Sequence, residues 1–500
     1  MTTDEVVGDA EVGESIARQA GRGLKWSLLG TLLTKIGSFA MGLVLARLLA
    51  PEDFGQYAIA LAALGVLMHI NDLGLIAATV QWRGKLEEMA PTAAVLAAGF
   101  GIAIYGVFWL AAPAFAAAAG DSGAAPVVRI LTLIIVIDGL TAVRSGALMR
   151  NFQQKELIIA NGLGFVVNAA LSIYLAAKGN GAYSFAWGQL AGAFATGVLV
   201  CVLARVPLRI SVDRAIAKRL MHFGVPLAAS LGVDAVITNV QLMIVGHLTG
   251  PTALGYFLLA FNISSWAQTI LGTAIRYVSV AGFSRLSEHD DEALSAGVRA
   301  SMSVLVTVVA PIVALMSALA TPLVVFLYGH SWSPAAPVLR ILVVLTLARM
   351  MTRLAMDVLM GAGATRAALW FNVGWAIALA PTLWFATQFH GLQGAAMAQA
   401  GVGFFVAIPL AAVALRRVRV GVAPIGRAII RPLFVALVAA VIAFLLARFT
   451  GPYPVVQLLV AGTAGVVVYL PLAVPREQLS RWRDLAGRRG GKPEPAAALN

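Results

Sequence analysis

Eight charged side chains lie within long apolar runs of the sequence, where each needs a chemical reason to be present. They are Lys35, Asp72, Asp138, Asp234, Arg276, Arg349, Arg353 and Asp357. A charge in the middle of a lipid bilayer costs about 2.5–3.5 kcal/mol on insertion scales, so each needs an opposite charge, water or a ligand. The cations suit phosphate or carboxylate groups, and the carboxylates suit a proton or a sodium ion.

Arg349, Arg353 and Asp357 recur every fourth residue, which places them on one face of a helix. That face is not expected to meet lipid. One interpretation is an internal salt bridge that fixes this helix within its own half of the protein. The other is a polar lining of a cavity, and the spacing leaves both open.

Motifs of catalysis are scarce in this chain. The sequence contains no Walker motif, no glycine-rich dinucleotide fingerprint and no nucleophile elbow. Asp290 and Asp291 are adjacent, but they are typical of the acidic start of a helix. His247, His330 and His390 have no second ligand at metal-binding spacing, and Cys201 is the only cysteine. We therefore predict no catalytic residues, no metal and no cofactor, and a protein that is not an enzyme.

The composition indicates a polytopic membrane protein. The chain has 500 residues, of which 60% are hydrophobic and 12% are charged, and its mean hydropathy is +0.87. A helix needs roughly 20 apolar residues to cross a bilayer. Apolar runs of that length recur between residues 24 and 474 and predict about fourteen transmembrane helices in an all-α fold. An acidic, polar segment comes before the first run and has no apolar core or cleavage site, so we expect no removable signal peptide.

The net charge of +13 reflects membrane topology rather than nucleic-acid binding. If the N-terminus is cytoplasmic, thirty of the thirty-six Lys and Arg residues lie on the inner side of the predicted spans. Only Arg47, Arg129, Lys178, Arg340 and Arg448 lie on the outer ends, and Lys35 lies in mid-helix. By the positive-inside rule, both termini are predicted to be cytoplasmic.

The sequence also contains an internal repeat. "LARLLAPEDFGQYA" at residues 45–58 is echoed by "VGHLTGPTALGYFL" at 245–258, and "AAPVVRILTL" from Ala124 by "AAPVLRILVV" from Ala335. Gln189 has its counterpart in Gln399. An even number of helices per copy gives both copies the same orientation, which predicts two parallel-related six-helix lobes.

The domain boundaries predicted from this repeat are a polar cytoplasmic segment at 1–20, lobes at 21–210 and 211–420, two additional helices at 421–475, and a basic, disordered cytoplasmic tail at 476–500.

The repeat offset of 200 residues aligns Lys35 with position 235, next to Asp234. We therefore predict a Lys35–Asp234 pair that forms in one state of the protein and separates in another. The alternative is that Asp234 bonds within its own lobe, for instance to Asn239. Asp72, Asp138 and Asp234 are also candidates for coupling to a proton or sodium ion.

The stretch from "GLKWSLLGTLLTKIGSFAMGLVLARLLAPEDFGQYA" through "MHINDLGLIAATVQ" resembles the start of bacterial polysaccharide flippases of the Wzx type. These belong to the multidrug/oligosaccharidyl-lipid/polysaccharide exporter superfamily. The similarity continues through "MRNFQQKE" and "MHFGVPLAASLGV" and covers about residues 20–420. The proline turn with "LARLLxPxDFGxYA" is its most specific motif.

The resemblance implies a translocase in the bacterial inner membrane that moves a polyprenyl-diphosphate-linked oligosaccharide for polysaccharide or lipopolysaccharide biosynthesis. Its partners would be the lipid bilayer, this substrate and the polysaccharide polymerase machinery, with no nucleic acid. A cationic cavity is typical of the family, and Lys35 and Arg276 match it best, although Arg276 is close enough to the interface to snorkel instead. Asn239 and Gln268 are candidates for hydrogen bonds to sugar hydroxyls, with bonds between helices as the alternative.

Two other classes remain open at this point. A multidrug or cation antiporter of the same superfamily would favour a cavity rich in carboxylates and aromatic residues. A membrane glycosyltransferase or polymerase would need a large catalytic loop, and the longest hydrophilic loop between the predicted spans is short.

Overall fold

The computed structural model describes residues 30–473, except for 31, 72–75, 77–78, 80–85, 152, 205–210, 288–290 and 363. Within the helices, the side chains of 223, 225–238, 266–291, 293, 365–366 and 368–369 are also outside the description. In this part of the chain, every regular element is a helix. The predicted all-α class is therefore confirmed.

Glycines with positive φ interrupt two of the longest helices. Arg214–Ser287 breaks at Gly250, where φ is 81°, and Thr365–Val402 breaks at Gly391, where φ is 55°. Such backbone angles are easily reached only without a Cβ atom. The segments on either side of each glycine are therefore numbered separately.

Numbered in this way, the described residues contain fourteen helices of the predicted kind. They are α1 (32–48), α2 (Pro51–Asn71), α3 (Leu86–Ala118), α4 (Ala125–Thr132 continued by Ile134–Arg150), α5 (Gln154–Ala177), α6 (Tyr183–Leu203), α7 (214–249), α8 (251–287), α9 (Asp291–Ala318), α10 (Ala335–Gly361), α11 (365–390), α12 (392–402, continued through a π turn at Gly403–Ala407 into Ile408–Arg417), α13 (Val422–Phe449) and α14 (Pro454–Ala473).

Eleven described stretches are long and apolar enough to cross a membrane, judged by length and composition alone. They comprise α2 to α6, α9, α10, α13 and α14, together with one stretch across the Gly250 break (Asn239–Ser265) and one across the Gly391 break (Trp370–Arg417). The described part of α1 adds one more apolar helix. The multi-pass membrane architecture is thus confirmed. The helix α9 ends at Ala318, and a separate short helix, Ala320–Tyr328, follows a non-helical Leu319.

The chain forms two compact units. The first contains Met1–Leu259 and Ala380–Ala395, and the second contains Ala260–Leu379 and Ala396–Asn500. These units follow contacts in space rather than the sequence repeat. The assignment of 21–210 and 211–420 to two lobes stays a prediction.

Close glycine packing holds α5 against α6 in the first unit. A Cβ atom added at Gly164 would lie 2.7 Å from the carbonyl oxygen of Gly192, and one added at Gly192 would lie 2.6 Å from that of Gly164. Small residues of this kind let helix backbones approach in a membrane, where dispersion contacts replace the hydrophobic effect.

The two C-terminal helices belong to the second unit, where they pack beside α9. The Tyr469 hydroxyl of α14 donates to the carbonyl oxygen of Thr307 on α9 at 2.8 Å. Arg431 of α13 donates to the carbonyl oxygen of Leu472 at 3.0 Å and so satisfies the end of α14. This explains how helices outside the repeat are held in place.

The duplicated proline turns pack directly against each other. A Cβ atom at Gly55 would lie 1.8 Å from the carbonyl oxygen of Pro251, and one at Gly255 would lie 1.8 Å from that of Pro51. No Cβ atom fits at such distances, so both copies of the turn require glycine here. The two copies of the motif therefore form one reciprocal contact.

Other residues of the first turn tie α2 to α6. Asp53 accepts from the backbone N–H of Ala50 at 2.9 Å and from that of Ala182 at 3.1 Å. Tyr57 stacks on Phe185, with ring centroids 4.1 Å apart, and its hydroxyl accepts a hydrogen bond from Gln189. The proline-turn motif therefore connects α2 to α6 through these contacts.

Candidate functional site

A buried amide and a carboxylate pair inside the first unit. Asn71, at the end of α2, is 2% exposed, and its Nδ2 donates to Asp138 Oδ2 on α4 at 3.1 Å. The same nitrogen donates to the carbonyl oxygen of Ile135 at 3.3 Å. Asp138, a predicted coupling residue, is therefore bonded within its own unit.

A buried amide and a guanidinium pair inside the second unit. Arg349 Nη2 on α10 donates to Gln399 Oε1 on α12 at 3.2 Å. The guanidinium carbon also lies 5.1 Å from the ring centroid of Phe261 on α8, which is within cation–π range. Arg349 is half-buried, and Gln399 is 2% exposed. Three helices therefore position this guanidinium.

Arg353 and Asp357, which form a stripe with Arg349 on one face of α10, have different surroundings from those of Arg349. Arg353 is exposed and Asp357 is half-buried. Arg349 and Asp357 are eight residues apart on α10, a rise of about 12 Å, while the described bond of Arg349 goes to α12 instead. The structure does not bring Arg353 to Gln399, and the salt-bridge interpretation of the stripe stays a prediction.

Lys35 lies on the exposed side of α1, beside the exposed Leu32, Leu33 and Ile36. Gly37 faces α5, since a Cβ atom there would lie 2.5 Å from the ring of Phe165. At about 100° per residue, Lys35 lies roughly 160° around the helix from Gly37. Its side chain is therefore directed away from the packed face of α1.

Asn239, a predicted substrate-binding residue, packs against α2. A Cβ atom at Gly65 would lie 2.8 Å from Asn239 Oδ1, so the amide covers this glycine. Asp72 lies outside the described residues. The side chains of Asp234, Gln268 and Arg276 also lie outside the description, although their backbone is helical. Their predicted roles stay predictions.

No metal-binding cluster is found where side chains are described: no three His, Cys, Asp or Glu residues come close enough together to hold a metal ion.

Comparison with known proteins places the chain in a family. The model of the polysaccharide biosynthesis protein family matches residues 44–337, which is more than half of the chain. The chain belongs to the polysaccharide biosynthesis protein family. The resemblance carried by the proline-turn motif is thereby confirmed, and the matched region begins one residue before that motif.

One relative of this family member matches nearly its whole length, and another matches about three quarters of it. It is 27% identical to the succinoglycan biosynthesis transport protein ExoT of Rhizobium meliloti, over 96% of this chain and 98% of that protein. It is 23% identical to the lipopolysaccharide biosynthesis protein WzxC of Escherichia coli, over 76% of this chain and 77% of that one.

Solved structures share the fold of this polysaccharide biosynthesis protein. The lipid II flippase MurJ, in an inward closed conformation, matches with a TM-score of 0.74 and 14% identity over 93% of this chain and 100% of that chain. An inward-facing multidrug resistance MATE family transporter matches with a TM-score of 0.63 and 17% identity, over 77% of this chain and 94% of that chain. At these identities the likeness shows the fold alone.

Sequence reasoning missed the partner of Arg349. Gln399 was visible only as a repeat counterpart of Gln189, and Phe261 carried no signal at all. The repeat could have found the site, because the same offset of 211 residues that pairs Arg129 with Arg340 also pairs Asp138 with Arg349. Charges of opposite sign at matched positions indicate that the two copies have diverged in role.

Proposed function

We propose that this protein is a flippase that moves a polyprenyl-diphosphate-linked oligosaccharide across the bacterial cytoplasmic membrane for polysaccharide or lipopolysaccharide biosynthesis. The observation that carries the proposal is family membership together with the nearly full-length match to a succinoglycan biosynthesis transport protein. The mechanism is alternating access of two lobes, which the repeat supports. The polysaccharide polymerase machinery is a proposed partner.

Basic side chains supply the binding chemistry in this proposal. A diphosphate needs charge-assisted hydrogen-bond donors where water is scarce. Lys35 is exposed on its helix, as a ligand-binding cation must be in the state that receives substrate. Arg276 is the proposed partner of the same anion, while Asn239 and Gln268 are proposed to contact sugar hydroxyls.

Deletion of the gene tests the proposed function, and restoring export with variants of the protein tests the role of Arg276. Loss of the protein is expected to abolish surface polysaccharide and to accumulate lipid-linked oligosaccharide in the cell. Arg276→Lys should restore export in part, because a point charge remains while the planar fork is lost. Arg276→Glu should not restore it, because a carboxylate repels the diphosphate.

Protein abundance, measured by immunoblotting of membranes, is the control for these variants. A deletion strain with normal surface polysaccharide would contradict the proposed function. Normal export by Arg276→Glu at normal abundance would contradict only the role of Arg276.

The proposed orientation places both termini in the cytoplasm and both proline turns outside. Glu52 and Thr252 are exposed at these turns. In a Cys201→Ser background, Glu52→Cys and Thr252→Cys are expected to react with an impermeant thiol reagent added from outside. Ser211→Cys, an exposed position on the predicted inner side, is the matched control and should react only after the cells are opened. The reverse labelling pattern would show that the topology is the opposite of the proposed one.

A further inference from the structure

The Arg349–Gln399 pair has hydrogen-bond donors without acceptors. Gln399 uses its oxygen to accept from Arg349, and its Nε2 is buried with no hydrogen-bond partner among the described residues. A guanidinium has five N–H groups. Among the residues that the structure describes, Arg349 donates to Gln399, and no carboxylate forms an ion pair with Arg349. The cluster therefore lacks oxygen acceptors and a negative charge.

The helices around the pair hold it in a defined position. The hydroxyl of Thr346, one turn before Arg349 on α10, donates to the carbonyl oxygen of Ser264 on α8 at 3.0 Å. Gly403, one turn after Gln399, allows α12 to approach Leu345, because a Cβ atom there would lie 2.6 Å from that side chain. The π turn at Gly403–Ala407 follows directly, and such turns are frequent at functional sites.

In the first copy of the repeat, the residues at the two equivalent positions each have a hydrogen-bond partner. Gln189, the counterpart of Gln399, donates its amide hydrogen to the Tyr57 hydroxyl. Asp138, the counterpart of Arg349, accepts from Asn71. The first copy is therefore acidic with its glutamine bonded, and the second is basic with a free amide donor. Helix packing alone does not require this change, since the first copy packs without it.

We propose that Arg349 and Gln399 form an oxyanion-binding site in the second unit. The guanidinium supplies charge and two or more N–H donors, the Gln399 amide supplies one further donor, and Phe261 covers one face of the guanidinium. A phosphate or a carboxylate has the required oxygens. Under the proposed function, this oxyanion is either the diphosphate of the lipid carrier or the carboxylate of an acidic sugar.

Thermal unfolding of the purified full-length protein in lipid nanodiscs tests the site. The probes are inorganic diphosphate and glucuronate, each compared with sodium chloride at equal ionic strength. A ligand of the folded state raises the unfolding midpoint as its concentration increases. We expect at least one probe to raise the midpoint above the chloride control, and the stronger probe identifies the class of oxyanion.

Variants assign that effect to the pair. Arg349→Gln is expected to weaken apparent affinity roughly tenfold or more, and Gln399→Met roughly threefold to tenfold, because each removes hydrogen bonds to the anion. Arg349→Lys should keep part of the affinity. Arg353→Gln is the matched control, because it removes the same charge from an exposed side chain one turn further along the same helix. Its affinity for the probes should match that of the unaltered protein.

Two outcomes would overturn the site: neither probe exceeds chloride, or the shift persists unchanged in Arg349→Gln and Gln399→Met. A purely structural tie between α10 and α12 would lower the midpoint of both variants without changing the response to the probes. Binding is measured without transport, so a failure of the oxyanion site would leave the proposed flippase function standing. Conversely, a protein that binds the probes but does not transport would support the site and contradict the flippase function.

Discussion

Replacing Gly55 with alanine is expected to abolish polysaccharide export and to lower the thermal stability of the protein severely. The added methyl group would lie 1.8 Å from the carbonyl oxygen of Pro251, so the backbone of one proline turn has to move. Overpacking a well-packed region typically costs about 1–3 kcal/mol, and backbone is less able to yield than a side chain. Gly255→Ala should behave alike, because its methyl group meets the carbonyl oxygen of Pro51 at the same distance.

Gly106→Ala on α3 is the matched control, since a Cβ atom there has no neighbour within 4 Å. It should leave export and the unfolding midpoint unchanged or slightly improved, as alanine favours helix more than glycine does. Both properties can be measured on the same membranes, by polysaccharide staining of cells and by thermal unfolding in detergent. If Gly55→Ala behaved like Gly106→Ala, the contact between the two turns would be refuted.

Replacing Asn71 with aspartate is expected to cause a comparably large loss of stability. Asn71 Nδ2 is 3.1 Å from Asp138 Oδ2, so the substitution removes a donor and sets a second carboxylate against the first. Asn71→Ala should be milder, about 1–3 kcal/mol, because it leaves the Ile135 carbonyl and Asp138 without their described donor. Like charges at this separation disfavour each other strongly in a site with little water.

Asn161→Asp on α5 provides the comparison, because Asn161 is exposed and the change in charge is identical. Its unfolding midpoint should stay close to that of the unaltered protein. Equal losses in Asn71→Asp and Asn161→Asp would show that added charge, rather than the Asn71–Asp138 contact, controls stability.

The helices were predictable from sequence because each apolar run is long, continuous and independent of the others. The same local pattern could not show that the Pro51–Gly55 and Pro251–Gly255 turns touch, since they are 200 residues apart. The duplicated glycines were visible, but their reason lies in a backbone contact. Likewise, Asp53 is an ordinary helix-start residue until its bond to the Ala182 N–H is seen.

The candidate site was predictable only in part. Spacing placed Arg349, Arg353 and Asp357 on one side of α10, as every-fourth-residue periodicity requires. It could not tell that Arg349 is half-buried against another helix while Arg353 is exposed, because depth depends on the neighbouring helices. The bond from Arg349 to Gln399 joins residues 50 positions apart, and only tertiary packing brings them together.

Reconstituted transport is the most direct test of the central claim. The purified protein would be placed in vesicles containing a fluorescently labelled polyprenyl-diphosphate oligosaccharide, and the labelled fraction accessible to an impermeant reagent would be followed over time. The account predicts that this fraction rises beyond that of protein-free vesicles, and that it does not rise with Gly55→Ala. Identical curves for the unaltered protein and protein-free vesicles would contradict the assignment as a flippase of lipid-linked oligosaccharides.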